Sequence, residues 1–250
     1  MIAITFEFRV LRWFKRHLHR NVPTSYKEMT QEQFTALMKF VKGHITEVDF
    51  YCRFFDVTEG VLEKLDRYQL YKLTEHLRIE DKGCDSFLVK ELYGLKAPAD
   101  RLSNMSFFQF MTVDQLFGWY NYTENRKYLD QMLAALYLPA DADFFKSDWN
   151  ERIDLISEKP VNELYPAIVN WMLIKNWLTG VYSQLFASSA PEPEAETKKR
   201  KKPKPADWLA IFDAMVGDNL HLIDEYKHMN CMDAMRYLNN KIKRNRFKHA

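Results

Sequence analysis

Between Ala187 and Ala206 the chain holds no large apolar residue, and the stretch "APEPEAETKKRKKPKP" fills most of that span with prolines, glutamates and cations. A segment with nothing to bury cannot offset the entropy lost on ordering its backbone, so residues 187–206 are predicted to be a disordered, charged linker. The chain is thereby divided into a body at 1–186 and a small module at 207–250. A flexible coil of 20 residues spans roughly 25 Å. Its cations, Lys198, Lys199, Arg200, Lys201, Lys202 and Lys204, suit a solvated spacer. They also suit phosphate contacts, because clustered Lys and Arg release counterions from a polyanion, although Glu192, Glu194 and Glu196 oppose that reading. A nuclear import signal would apply only in a eukaryote.

On both sides of this break the composition is that of a folded protein. Of 250 residues, 47% are hydrophobic and 15% aromatic, ample for a packed core. Only 7 are glycine, which argues against a turn-rich architecture and against a phosphate-cradling loop, and favours helices. The net charge is +2, but residues 21–191 carry 18 Lys and Arg against 24 Asp and Glu, a net of −6. The basic excess lies in the N-terminal arm, the linker and the C-terminal end, which points to an acidic partner or to self-association with the acidic body. Cys52, Cys84 and Cys231 are odd in number and far apart, the usage of reduced thiols filling a core. No signal peptide precedes the charges, so the protein is expected to remain in the cytoplasm where it is made.

Ile2, Ile4, Phe6, Phe8 and Val10 alternate with Ala3, Thr5, Glu7 and Arg9, the period of a half-buried strand. A lone strand needs a partner, and the candidates are "SFLVKEL" at 86–92 or a second chain. From residue 24 the signals are helical. Ser25 with Glu28 and Thr30 with Gln33 have the spacing of reciprocal helix caps, and helices are predicted near 31–42, 47–55, 58–77, 106–121, 124–137, 147–157 and 161–186. "AIVNWMLIKNWLTGVYSQLF" at 167–186 has the length of a membrane span, but Asn170, Lys175, Asn176, Thr179 and Ser183 make it a core helix. The fold class is therefore mainly α: a multi-helix globular body with a short N-terminal β-strand element, a disordered linker and a small C-terminal helical module.

About 44 residues are few for an independent core, so the module is expected to dock on something. Its contact candidates are Trp208, Leu209, Phe212, Met215, Tyr226, Met235, Leu238 and Ile242, since aromatic and methionine side chains bind adaptably. Two occupants remain open, a partner protein and the chain's own body.

Chemistry is sparse. His17 and His19 stand beside arginines without further ligands at zinc-like spacing. Asp81 with Asp85 and Asp141 with Asp143 have the look of paired carboxylates but sit in polar connectors where Asp serves turns and caps. No phosphate loop, nucleophile elbow or two-histidine helix is present. The expectation is no catalytic residue, no metal and no cofactor. The dense run "FFQFMTVDQLFGWYNY" at 107–122 reads as a buried central helix, with exposed rings for a partner as its alternative.

As a group, "VPTSYKEMTQEQF", "DRYQLYKLTEHL", "LKAPADRLSNMSFFQFMTVDQLFGWY", "YLDQMLAALYLP", "AIVNWMLIKNWL" and "MDAMRYLNNKIKRNR" resemble helical proteins of phage and prophage tail gene clusters of gut bacteria. The layout is similar to that of phage tail assembly chaperones. The resemblance implies a non-enzymatic protein that binds other tail or virion proteins in the host cytoplasm, with self-association possible and no membrane. The strand-like N-terminus departs from that pattern and leaves a virion structural role open. The alternative is a nucleic-acid-binding accessory protein using the basic arm, linker and tail.

Overall fold

The Thr30 hydroxyl accepts the Gln33 amide at 3.2 Å while the Gln33 side chain accepts the Thr30 amide at 3.0 Å, and this reciprocal cap starts helix α1, Gln31–Val41. The same exchange between Thr46 and Asp49 starts α2, Glu47–Phe55. The computed structural model describes residues 1–11, 14–75, 83–186 and 205–248. Among them are eleven α-helices and two short antiparallel sheets, so the protein is mainly helical with an N-terminal two-stranded sheet. Residues 187–204, most of the predicted linker with all six of its cations, lie outside the described residues, as does Asp81.

Two of the helix expectations need correction. Ser25 makes no cap: the Glu28 carboxylate instead accepts the amide and hydroxyl of Thr24, both at 2.7 Å, and only a turn of 3-10 helix forms at Tyr26–Glu28. The helix expected over 58–77 is two, α3 at Glu59–Leu62 and α4 at Arg67–Glu75. Asp66 separates them, its carboxylate accepting the Tyr68 amide at 2.9 Å and capping a new helix. The remaining body helices are α5 at Phe107–Thr123, α6 at Arg126–Leu136, α7 at Trp149–Ser157 and α8 at Val161–Val181. Beyond the linker come α9 at Trp208–Val216, capped by Asp207, α10 at Ile223–His228 and α11 at Cys231–Lys248.

The N-terminal strand, β1 at Ile2–Leu11, pairs with the segment that follows it, β2 at Phe14–Val22, in an antiparallel hairpin. Among the described residues its partner is β2 and not residues 86–92. Within 86–92 only Glu91–Leu92 (β3) is a strand, paired with Leu95–Lys96 (β4). The amides of Leu88 and Val89 are taken instead by the Asn170 side-chain oxygen, at 2.7 and 2.9 Å, so that segment is bonded to α8 rather than to a sheet.

The core is built where α5, α6 and α8 meet. Phe107, Phe110, Trp171, Leu133 and Ile174 are all fully buried there. Gln109 on α5 donates to the Ala135 carbonyl of α6 at 2.8 Å, so the polar residue on this interior helix is satisfied. A second aromatic cluster, Phe34, Phe50, Phe54 and Phe55 of α1 and α2, supports the hairpin, whose Phe6 meets Phe55 edge-to-face at 5.6 Å. Among the described residues no helix is long and apolar enough to cross a membrane.

Candidate functional site

Three features stand out from the packed body: the hairpin, the docked C-terminal helices and a cavity between them and the body. The hairpin is held at its base. Phe6 and Val22 are buried, and Arg20 bonds the carbonyls of Phe55 and Asp56 at the end of α2, at 3.1 and 2.8 Å. A guanidinium there meets carbonyls at the negative end of the helix dipole. Toward the tip the register runs Glu7 opposite His17, Phe8 opposite Arg16 and Arg9 opposite Lys15, with an irregularity between Arg9 and Leu11. His17 and His19 are exposed, the latter bonded to the Thr5 hydroxyl at 2.8 Å. Neither histidine belongs to a metal cluster: among the described residues no group of three or more His, Cys, Asp or Glu is placed to hold an ion.

Of the eight contact candidates in the C-terminal module, Trp208, Phe212, Met215, Met235 and Leu238 are buried. Tyr226 and Ile242 are half-buried, and Leu209 is 64% exposed. The occupant of the module's apolar face is therefore the body. Trp208 stands edge-to-face with Phe110 at 5.2 Å and Phe107 at 6.1 Å, and Phe212 meets Phe108 at 6.5 Å. The backbone is stitched as well: Phe107 donates to the Met229 carbonyl at 2.8 Å and Cys231 to that of Met105 at 3.0 Å. Asn239 accepts the amides of Gln184 and Leu185 at 3.1 and 3.2 Å, tying α11 to the turn that follows α8. Even Pro205, in the predicted linker, lies so close to Gly118 that a β-carbon there would come within 2.9 Å of its ring.

The cavity, about 440 Å³, lies where β4, the start of α5, the loop after α6 and the end of α10 converge. Phe144, Phe145 and His228 form a ring wall; the Phe145 and His228 centroids are 4.3 Å apart at 41°. Sequence reasoning missed Phe145 and His228, because their meeting depends on the docking of a module 80 residues downstream. Asp141 and Asp143 also line the cavity, and their local geometry fits the turn reading: Asp141 is left-handed, with φ 57°, and Asp143 accepts the Phe145 amide at 2.8 Å. Elsewhere Arg152 is buried with Nε on the Ala134 carbonyl at 2.8 Å and Nη2 without a hydrogen-bond partner, and burial pulls its pKa down.

No protein-family model, curated protein or solved structure matches the chain. Its chemistry is therefore read from the residues themselves.

Proposed function

We propose that this is a non-enzymatic assembly protein, of the kind its resemblance to phage and prophage tail proteins implies, binding other tail or virion proteins in the host cytoplasm. One observation carries the reading. The hairpin is a two-stranded sheet with neither outer strand edge paired to a third strand among the described residues. Among the described residues, the contacts that hold it to the body include Phe6 against Phe55 and Arg20 on the carbonyls of Phe55 and Asp56. An open strand edge is a template for adding a strand from another protein. The apolar residues of the C-terminal module, engaged with the body, leave the hairpin as the contact element of this reading.

The test is a shortened hairpin in which residues 9–15 are replaced by Asn-Gly, joining the paired Phe8 and Arg16 through a two-residue turn. Co-expressed with the products of adjacent genes, the full chain is expected to retain a partner through purification and the shortened chain to lose it. Equal retention by both would overturn the assignment to the hairpin.

A second reading, an accessory protein that binds nucleic acid through its basic arm, linker and tail, is favoured by one specific feature. Arg16, His17 and His19 of β2 are all exposed, and basic side chains open to solvent can contact the phosphates of a polyanion. This reading predicts binding to duplex or single strands that weakens steeply with salt. Absence of binding at low salt removes it.

A further inference from the structure

We propose that the cavity between the body and α10 is a binding site for a guanidinium group. Its volume, about 440 Å³, is within the range of small-ligand sites, roughly 300–1,000 Å³. It is also preformed. Two antiparallel bridges, Lys96 with Leu138 and Ser106 with Asn230, hold its opposite sides. The loop that carries the rings is closed on itself by Ala142 donating to the Pro139 carbonyl and Lys146 to that of Asp143, each at 3.1 Å.

The ligand class follows from which wall groups are already engaged. Gln109 donates to Ala135, and Asn230 donates to the Ser103 carbonyl at 2.7 Å while accepting from Met232 at 2.9 Å. The Asn104 oxygen accepts the Ala99 amide at 2.7 Å, and Lys96 is ion-paired with Glu91. The His228 Nδ1 lies 2.7 Å from the Asp224 carbonyl, which can only accept, so Nδ1 is the ring's donor there. Among the described residues neither Asp141 nor Asp143 makes an ion pair, and the second oxygen of Asp143 is uncommitted by its turn. Asp141 and Asp143, both exposed, thus offer a guest carboxylate acceptors beside a face of aromatic rings, with the Ser103 and Ser106 hydroxyls able to donate or accept. A guanidinium is planar, stacks on such rings and carries five donors in a fixed fork. A lysine ammonium is a point charge with no planar face to stack on the rings and no fixed fork of donors, and a carboxylate or phosphate would meet the charge of Asp141 and Asp143.

The same chemistry could come from a free small molecule or from an arginine side chain of a polypeptide, and the experiment separates them. N-acetyl-arginine-N-methylamide and an alanine-arginine-alanine tripeptide, blocked at both ends, are titrated against the full chain by calorimetry. The N-acetyl-citrulline counterpart, neutral and nearly isosteric, is the control. Saturable binding of both arginine probes, at least tenfold tighter than citrulline, is expected. Asp141→Asn and Asp143→Asn are each expected to weaken it about tenfold, the loss of one charged hydrogen bond. Neither change should disturb folding. Asn tolerates the left-handed backbone at 141, and it keeps the oxygen that accepts the Phe145 amide at 143. Melting temperatures within a degree or so of the parent check this. If the tripeptide binds tenfold tighter than the single amino acid, the guest is a polypeptide; if the two are equal, it is a small molecule. No saturation at millimolar probe, equal binding of citrulline, or indifference to both Asn variants would overturn the site.

Discussion

Trp208 Nε1 donates to Asp114 Oδ2 at 2.8 Å, and on the other side of the same buried carboxylate Lys175 Nζ stands 2.5 Å from Oδ1. One side chain of α5 thus joins α8 to α9. The pairing also explains the Asp in the middle of the aromatic run at 107–122: a buried carboxylate is tolerated only with charge and hydrogen-bond partners. Trp208→Phe keeps a ring against Phe110 but removes the indole donor, leaving Asp114 one partner short. The expected cost is about 2 kcal/mol, which for a chain of this size lowers the melting temperature by roughly 4–8 °C. An unchanged melting temperature would mean that the indole bond contributes nothing to docking.

Gly83 sits against the backbone of α8. A β-carbon built on it would lie 2.3 Å from the Trp177 nitrogen and 2.7 Å from the Leu173 carbonyl oxygen, and its φ is +73°. Its neighbour Cys84 is meanwhile bonded to that same carbonyl at 3.0 Å, so the segment cannot swing away freely. Gly83→Ala is expected to cost about 3 kcal/mol or more in chemical denaturation. Gly94→Ala, with φ +85° but nothing within 4 Å, should cost distinctly less. Equal effects would rule out the close approach as the cause.

Asp85 is buried between Lys27 Nζ at 2.6 Å and Arg101 Nε at 3.0 Å, and the hydrogen bond from Lys27, aided by Arg101, holds its carboxyl below the usual carboxylate range. A carboxyl whose pKa is lower folded than unfolded stabilises the fold fully above its unfolded value, about 3.9. That contribution is lost as pH falls through the lower folded value. The stability difference between the parent and Asp85→Asn should therefore be full at pH 6 and shrink below about pH 4. A difference that widens on acidification would contradict the assignment.

The thiols should react in a fixed order. Cys52 is half-buried and Cys84 buried, while burial pushes the Cys231 thiol up to about 12, with Sγ on the Leu102 carbonyl at 3.6 Å. Under native conditions at pH 8 a disulfide reagent is expected to modify Cys52 first and Cys231 only as α11 lifts from the body. Trp208→Phe should speed the Cys231 reaction and leave Cys52 unchanged. Rapid labelling of Cys231 in the folded parent would show that this end of α11 is not sealed.

Most helices were legible in the sequence because their starts are written locally, as where Thr30 and Gln33 cap each other three residues apart. The second hairpin strand was not. Along β2 the alternate positions Phe14, Arg16, Leu18, Arg20 and Val22 mix arginine with apolar residues, so the period of two is hidden. Arg20 belongs there because its guanidinium finds the carbonyls ending α2, a fact about tertiary structure. Residues 86–92 have strand-like composition, but the amides of Leu88 and Val89 answer to Asn170 and those of Lys90 and Glu91 to Gln31, both far off in sequence. The contact candidates of the C-terminal module were legible as apolar anchors, whereas their occupant was not, since an apolar stripe carries no address. The cavity was the least legible, its walls being assembled from segments as distant as Lys96 and Asn230.

The stitching of Cys231 to Met105 and of Trp208 to the Phe107 and Phe110 rings has a consequence for synthesis. On the ribosome, α5 emerges about a hundred residues ahead of the helices that cover it. At ordinary elongation rates of roughly 5–20 residues per second, the nascent chain shows a bare aromatic surface for several seconds. Any factor that recognises such surfaces has that interval, and then loses it once translation has passed α11.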